Sequence, residues 1–88
     1  MSTEEPGERV RALRIARGMT QKQFAALGGL RRTEISRVET GANKASSHAT
    51  RSALARAFGL SIEDTDALLD GSLSVDEAMR RSASTAAA

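Results

Sequence analysis

Apolar positions along the chain recur at helical rather than strand spacing. Val10, Leu13 and Ala16 share one face behind a proline at position 6, where the first turn of a helix tolerates it, and Gly18 supplies a stop. The pattern predicts a first helix over about 6–17. Thr20-Gln21-Lys22-Gln23 has the form of a capping box: the threonine hydroxyl accepts from the third residue's N–H, and Gln23 reaches back. A second helix follows to about Leu27, with Phe24 and the small Ala25 inward, and ends at Gly28-Gly29. Leu30 turns the chain into a third helix, about 31–39, which Ile35 and Val38 mark with a single apolar side before it stops at Thr40-Gly41.

The remaining chain repeats these signals. Residues 42–46 read as a polar loop, and Ser46 or Ser47 can cap a fourth helix that ends at Phe58 with Ala53, Leu54 and Ala57 inward. Ser61 is placed to cap a fifth, carrying Ile62, Leu68 and Leu69 up to Gly71. Ser74-Val75-Asp76-Glu77 is another capping box and opens a short segment with Val75, Ala78 and Met79 on one side. From about Ser82 the tail is small and uncharged, has nothing apolar to bury, and is expected to fray. No stretch alternates β-branched and polar residues. The expected organisation is a flexible N-terminus (1–5), one all-α domain (6–71), a short helical segment (72–81) that is a candidate sixth helix, and a disordered tail (82–88).

Composition narrows the class. At 88 residues the chain is near the lower end of what one apolar core stabilises, and with no cysteine it has neither disulfides nor thiolate-bound zinc to help. No apolar run approaches the roughly 20 residues of a membrane span, so a soluble, cytoplasmic protein without membrane contact is expected. Charge is divided unevenly. Residues 1–44 hold nine Lys/Arg against five Asp/Glu, and residues 45–88 hold four against six. That asymmetry suggests a nucleic-acid face in the first half and another role for the second.

Residues 20–41 carry the specific signal. Two short helices joined by a glycine turn form a helix-turn-helix, whose DNA-reading version has identifiable requirements. The close crossing needs a small residue, supplied by Ala25, and the turn needs a residue that accepts positive φ, supplied by Gly29. Ile35 and Val38 pin one side of the second helix, so Arg32, Thr33, Ser36 and Arg37 project outward. Arg32 and Thr33 lie at its N-terminal end, which tends to meet base edges first, and Arg37 is one turn further on. An arginine can grip a guanine edge bidentately, giving roughly 1–3 kcal/mol of discrimination.

The string TQKQFAALGGLRRTEISRVETG, preceded by ERVRALRIARGM and followed by RAFGLSIED, resembles the Cro-like and lambda-repressor-like helix-turn-helix proteins over roughly residues 8–70. Gln21, Ala25, Gly29, Ile35, Glu39 and Gly41 fall on that family's spacing together. The resemblance implies five helices packed as one domain and dimers on two half-sites about one helical turn apart. It places Gln21 against a phosphate, Arg32, Thr33 and Arg37 at base-reading positions, and Arg14 opposite Glu39 in an ion pair tying the first helix to the third. Thr20, Arg31, Asn43 and Lys44 are further phosphate candidates, while Glu34 either pairs with Arg31 or reads a cytosine amine.

Several positions depart from the family pattern. Gly28 stands where a small apolar residue is usual and is expected to loosen the end of the second helix. Leu27 is either an exposed contact or repacked inward. His48, Arg51 and Ser52 occupy positions where the fourth helix commonly offers leucine, and Thr65 likewise replaces a leucine. The start of the fourth helix is thus expected either to pack weakly or to serve a private interface.

Other chemistries lack their constellations. His48 is the only histidine and has no partner for a metal site; Ser46 and Ser47 lack the third group that a nucleophile needs. Asp64, Asp66 and Asp70 have no calcium-loop spacing, and no glycine-rich phosphate cradle follows a strand. Phe24 and Phe58 are the only aromatics, which removes a base-stacking platform for single strands. The reading is therefore no enzyme, no cofactor and no metal, but a regulator of double-stranded DNA, most often a repressor in this family. A protein-interaction module, holding a toxin or the transcription machinery, is the other class. Because one recognition helix reads only a few base pairs, a homodimer is expected through Leu68, Leu69, Leu73, Val75 and Met79; the alternative is that Leu73, Val75 and Met79 fold back on their own chain.

Overall fold

Each helix of the chain begins and ends where local chemistry dictates. A computed structural model describes the backbone of residues 5–45 and 47–87 and the side chains of residues 5–45 and 47–82. Residues 1–4, most of the expected flexible N-terminus, lie outside the described residues, as do Ser46, Ala88 and the side chains of the tail. Six helices follow one another: α1 (Pro6–Ala16), α2 (Gln21–Gly28), α3 (Arg32–Thr40), α4 (His48–Phe58), α5 (Ile62–Asp70) and α6 (Val75–Ala87). No strand occurs among the described residues.

The caps follow the polar pattern closely. The Thr20 hydroxyl accepts from the Gln23 N–H at 3.1 Å, and the Gln23 side chain accepts from the Thr20 N–H at 2.9 Å. Ser47 caps α4 and Ser61 caps α5, each accepting from the N–H three residues on. At α6 only half of the expected box forms. Ser74 accepts from the Glu77 N–H, but the Glu77 carboxylate turns to Arg80 and Arg81, whose guanidinium groups are stronger partners than a backbone amide.

Val10, Leu13, Phe24, Ile35, Leu54, Phe58 and Leu68 form a core from which solvent is excluded. Removing one such aliphatic or aromatic side chain from water contributes roughly 1.5–3 kcal/mol. The rings of Phe24 and Phe58 meet with centroids 4.5 Å apart and planes tilted by 41°. Gly28 brings α2 against α4: a Cβ there would lie 2.6 Å from the Ala53 carbonyl oxygen. The Gly-Gly pair therefore does not loosen α2. The helix runs through Gly28, whose missing side chain permits the close approach, and Gly29 takes the left-handed turn at φ 73°.

The C-terminal half corrects two further expectations. Leu68, Leu69 and Leu73 are buried inside the protomer, so none of them offers a surface to a second copy. Val75 and Met79 are half-buried against the same core. Folding α6 back across α1 and α5 covers apolar surface that the first five helices leave open. The expected break at residue 82 is also absent, since Ser82 is fully buried and its hydroxyl donates to the Phe58 carbonyl at 2.6 Å.

Arginines close the helix ends from outside. Arg17 donates to the same Phe58 carbonyl at 2.5 Å and to the Ser82 hydroxyl, joining α1, α4 and α6. Arg9 donates to the Leu69 carbonyl at 3.1 Å, and Arg56 reaches the Gly28 carbonyl at 3.4 Å. The last carbonyls of a helix lack intrahelical partners and carry partial negative charge, so a guanidinium satisfies both needs.

Candidate nucleic-acid interface

The third helix owes its placement to one side of its surface. Ile35, Val38 and Glu39 are buried, while Arg32, Thr33 and Arg37 are exposed and Ser36 is half-buried. Its start is held by Glu34, whose carboxylate accepts from the Arg31 N–H at 2.8 Å. Of the two roles expected for Glu34, the structure shows a bond to Arg31, made to its backbone and not its guanidinium, where a carboxylate also suits the positive end of the helix. The Arg31 side chain is left exposed beside Arg32.

Glu39, at the other end, would be unfavourable near a helix C-terminus without compensation. The structure brings it together with Arg14. The Arg14 Nε donates to Glu39 Oε2 at 2.6 Å and Nη2 to Oε1 at 3.0 Å, while Nη1 donates to the Met19 carbonyl at 2.8 Å. The pair is nearly out of solvent, with side-chain exposures of 11% and 3%. Gly7 completes the junction from α1, because a Cβ there would collide with the Val38 carbonyl oxygen.

The same carboxylate reaches the surface through Gln21. Gln21 Nε2 donates to Glu39 Oε1 at 3.0 Å, and Gln21 Oε1 accepts from Arg32 Nη1 at 3.2 Å. Its amide thus bridges a buried carboxylate and an exposed arginine, a role the sequence did not signal. Thr20 is exposed beside it, with its hydroxyl engaged in the cap.

Beyond α3, Asn43 is half-buried and Lys44 exposed. Asn43 Oδ1 accepts from the Ala45 N–H at 2.8 Å, which leaves the amide nitrogen as the donor available to an anion. Both carboxylates between residues 31 and 44 are therefore engaged, Glu34 as a cap and Glu39 in its ion pair, whereas Arg31, Arg37 and Lys44 form no side-chain hydrogen bond among the described residues. The face is cationic on balance, because Arg31, Arg32, Arg37 and Lys44 are exposed against the single exposed carboxylate of Glu34.

The start of α4, where the family pattern is broken, is anchored. Arg51 Nε donates to the Ala45 carbonyl at 2.7 Å and Nη1 to Asp66 at 2.8 Å. His48 is exposed, with its Nε2 3.3 Å from the Ser52 hydroxyl. Among the described residues, no group of three or more His, Cys, Asp or Glu side chains is arranged to hold a metal ion, and no helix is long and apolar enough to cross a membrane.

Comparison with known proteins gives one finding of the same kind. A family model described as helix-turn-helix matches residues 10–64, from within α1 to the first turn of α5. No curated protein and no solved structure matches the chain.

Proposed function

We propose, for a chain that belongs to the Cro-like and lambda-repressor-like helix-turn-helix family and is thus a DNA-binding transcription regulator, the role of a repressor that occupies a two-fold operator as a dimer. In this reading α3 lies in the major groove. Arg32, Thr33, Ser36 and Arg37 read base edges, and Thr20, Gln21, Arg31, Asn43 and Lys44 approach phosphates. One observation carries it. Arg31, Arg32, Arg37 and Lys44 are exposed across α3 and the loop after it, against the single exposed carboxylate of Glu34, while the Glu39 carboxylate is buried on Arg14. Selection of bound sites from random duplex DNA tests the reading: a recovered motif with two-fold symmetry supports it, and recovery of no motif ends it.

The dimer rests on a narrower surface than the leucine pattern implied. With Leu68, Leu69 and Leu73 inside the protomer, a contact through the C-terminal half would use Val75 and Met79 on α6. Sedimentation with and without the selected duplex checks this. Monomers that bind singly and without cooperativity would remove the dimer from the proposal.

Leu27 favours the second reading, a protein partner. It is 54% exposed at the end of α2, outside the α3 face. Leu27→Ser should then leave duplex affinity unchanged and weaken association with a protein partner; an equal loss of duplex affinity would place Leu27 on the DNA side instead.

A further inference from the structure

The α3–α4 loop contains the one residue other than glycine with positive φ among the described residues. Ala45 has φ 55° and is 1% exposed. An L-residue holds this conformation only when its surroundings over-determine it. Here both of its backbone groups are held by side chains: its N–H donates to Asn43 Oδ1 at 2.8 Å, and its carbonyl accepts from Arg51 Nε at 2.7 Å. The Asn43 N–H in turn donates to the Arg37 carbonyl at 3.0 Å, so the loop is continuous with the last turn of α3.

Arg51 is itself oriented from the acidic half of the chain. Its Nη1 donates to Asp66 Oδ1 on α5 at 2.8 Å. A guanidinium is planar, so fixing Nη1 on a carboxylate also fixes the direction of Nε–H. Asp66, Arg51 and Ala45 thereby form a chain that ends at residues 43 and 44, where Lys44 is exposed and Asn43 keeps an amide donor.

We propose that Asp66 and Arg51 are positioning residues that set the α3–α4 loop so that Asn43 and Lys44 meet the DNA backbone. The proposal rests on the reading of α3 as a major-groove helix. It makes an unusual demand on an acidic residue. On Coulomb grounds alone, removing a carboxylate from a DNA-binding protein should tighten binding. If Asp66 orients the loop, its removal weakens binding instead.

The test is affinity against salt for the full chain and the duplex selected from random sequence, with wild type, Asp66→Ala, Lys44→Ala and the double variant. Wild type is expected to bind with a steep salt dependence. Asp66→Ala should reduce the slope of log K against log salt by about 0.9 for each phosphate that is no longer neutralised, while preserving the ranking of base-substituted duplexes. The double variant should lose less than the two single losses combined, because both substitutions act on the same phosphate interaction. Asp66 is 44% exposed, so its truncation leaves the core intact; Arg51→Met, checked for helicity, should act in the same direction. An Asp66→Ala protein that binds equally or more tightly with an unchanged slope overturns the positioning role, as do fully additive losses. A wild type that binds no duplex overturns the functional reading, and this proposal with it.

Discussion

Arg14 and Arg32 lie at opposite ends of one polar chain that runs through Glu39 and Gln21. Arg14 is buried, and three of its nitrogens donate to protein acceptors. Arg32 is exposed and holds a single long hydrogen bond to an amide. Arg9 and Arg17 resemble the first, each half-buried with a nitrogen on the last carbonyls of another helix. Arg31 and Arg37 resemble the second. The basic excess of residues 1–44 therefore has two parts: cations that hold helices together and cations that face outward. Only the second part is available to a polyanion.

The largest effect expected from this contrast is at the buried pair. Arg14→Met or Glu39→Ala leaves an uncompensated buried charge and should destabilise the fold by about 3–5 kcal/mol in denaturant unfolding. A loss below about 1 kcal/mol, the range of exposed pairs, would erase the distinction between the two arginine classes.

Outward arginines should show the converse. Arg32→Ala and Arg37→Ala should each cost about 1–3 kcal/mol in binding to the selected duplex, with a much smaller change on non-specific duplex. Their unfolding free energies should stay within about 0.5 kcal/mol of wild type. Equal losses on specific and non-specific DNA would make these residues phosphate anchors.

Two smaller effects sharpen the internal side of the comparison. Thr65 is fully buried, and its hydroxyl has no hydrogen-bond partner among the described residues, unlike the satisfied guanidinium of Arg14. Thr65→Val, of the same shape, should raise stability by about 1 kcal/mol, and a destabilised variant would mean that the hydroxyl is satisfied in solution. The least effect belongs to Glu77. Hydrogen bonds from Arg80 and then Arg81 hold its carboxyl below the ordinary value of 4.5. A depressed carboxyl binds its proton less readily in the folded state than in the unfolded one. Its contribution is thus present above the ordinary value and lost as pH falls through the folded one. The wild-type melting temperature should drop slightly more over this acid range than that of an Arg80→Gln/Arg81→Gln variant; identical curves would show that the pairs contribute nothing.

Helix order, caps and the recognition motif were legible in the residues because they are local. Thr20 and Gln23 satisfy each other within one turn, Gly29 and Gly41 end helices at their own φ, and Ile35 with Val38 defines the inward side of α3. Periodicity likewise identified Arg32, Thr33 and Arg37 as outward. The destination of apolar residues that could be buried by either of two partners was not legible. Leu73, Val75 and Met79 carry the same pattern whether they meet a second copy or their own α1, and the path of the chain after Gly71 decides between the two.

By itself, the sequence determined the all-α class, the position of the helix-turn-helix and the residues its third helix turns outward, because spacings of three or four residues and single caps carry that information. Tertiary structure alone decided which charges remain outside. It put Gly28 against the Ala53 backbone, Arg17 on Phe58 and Ser82, and Gln21 between Glu39 and Arg32. An arginine has the same charge wherever it stands, but its availability depends on whether an unpaired carbonyl or carboxylate from a distant segment comes within about 3 Å of it, and only the packing of helices sets that distance.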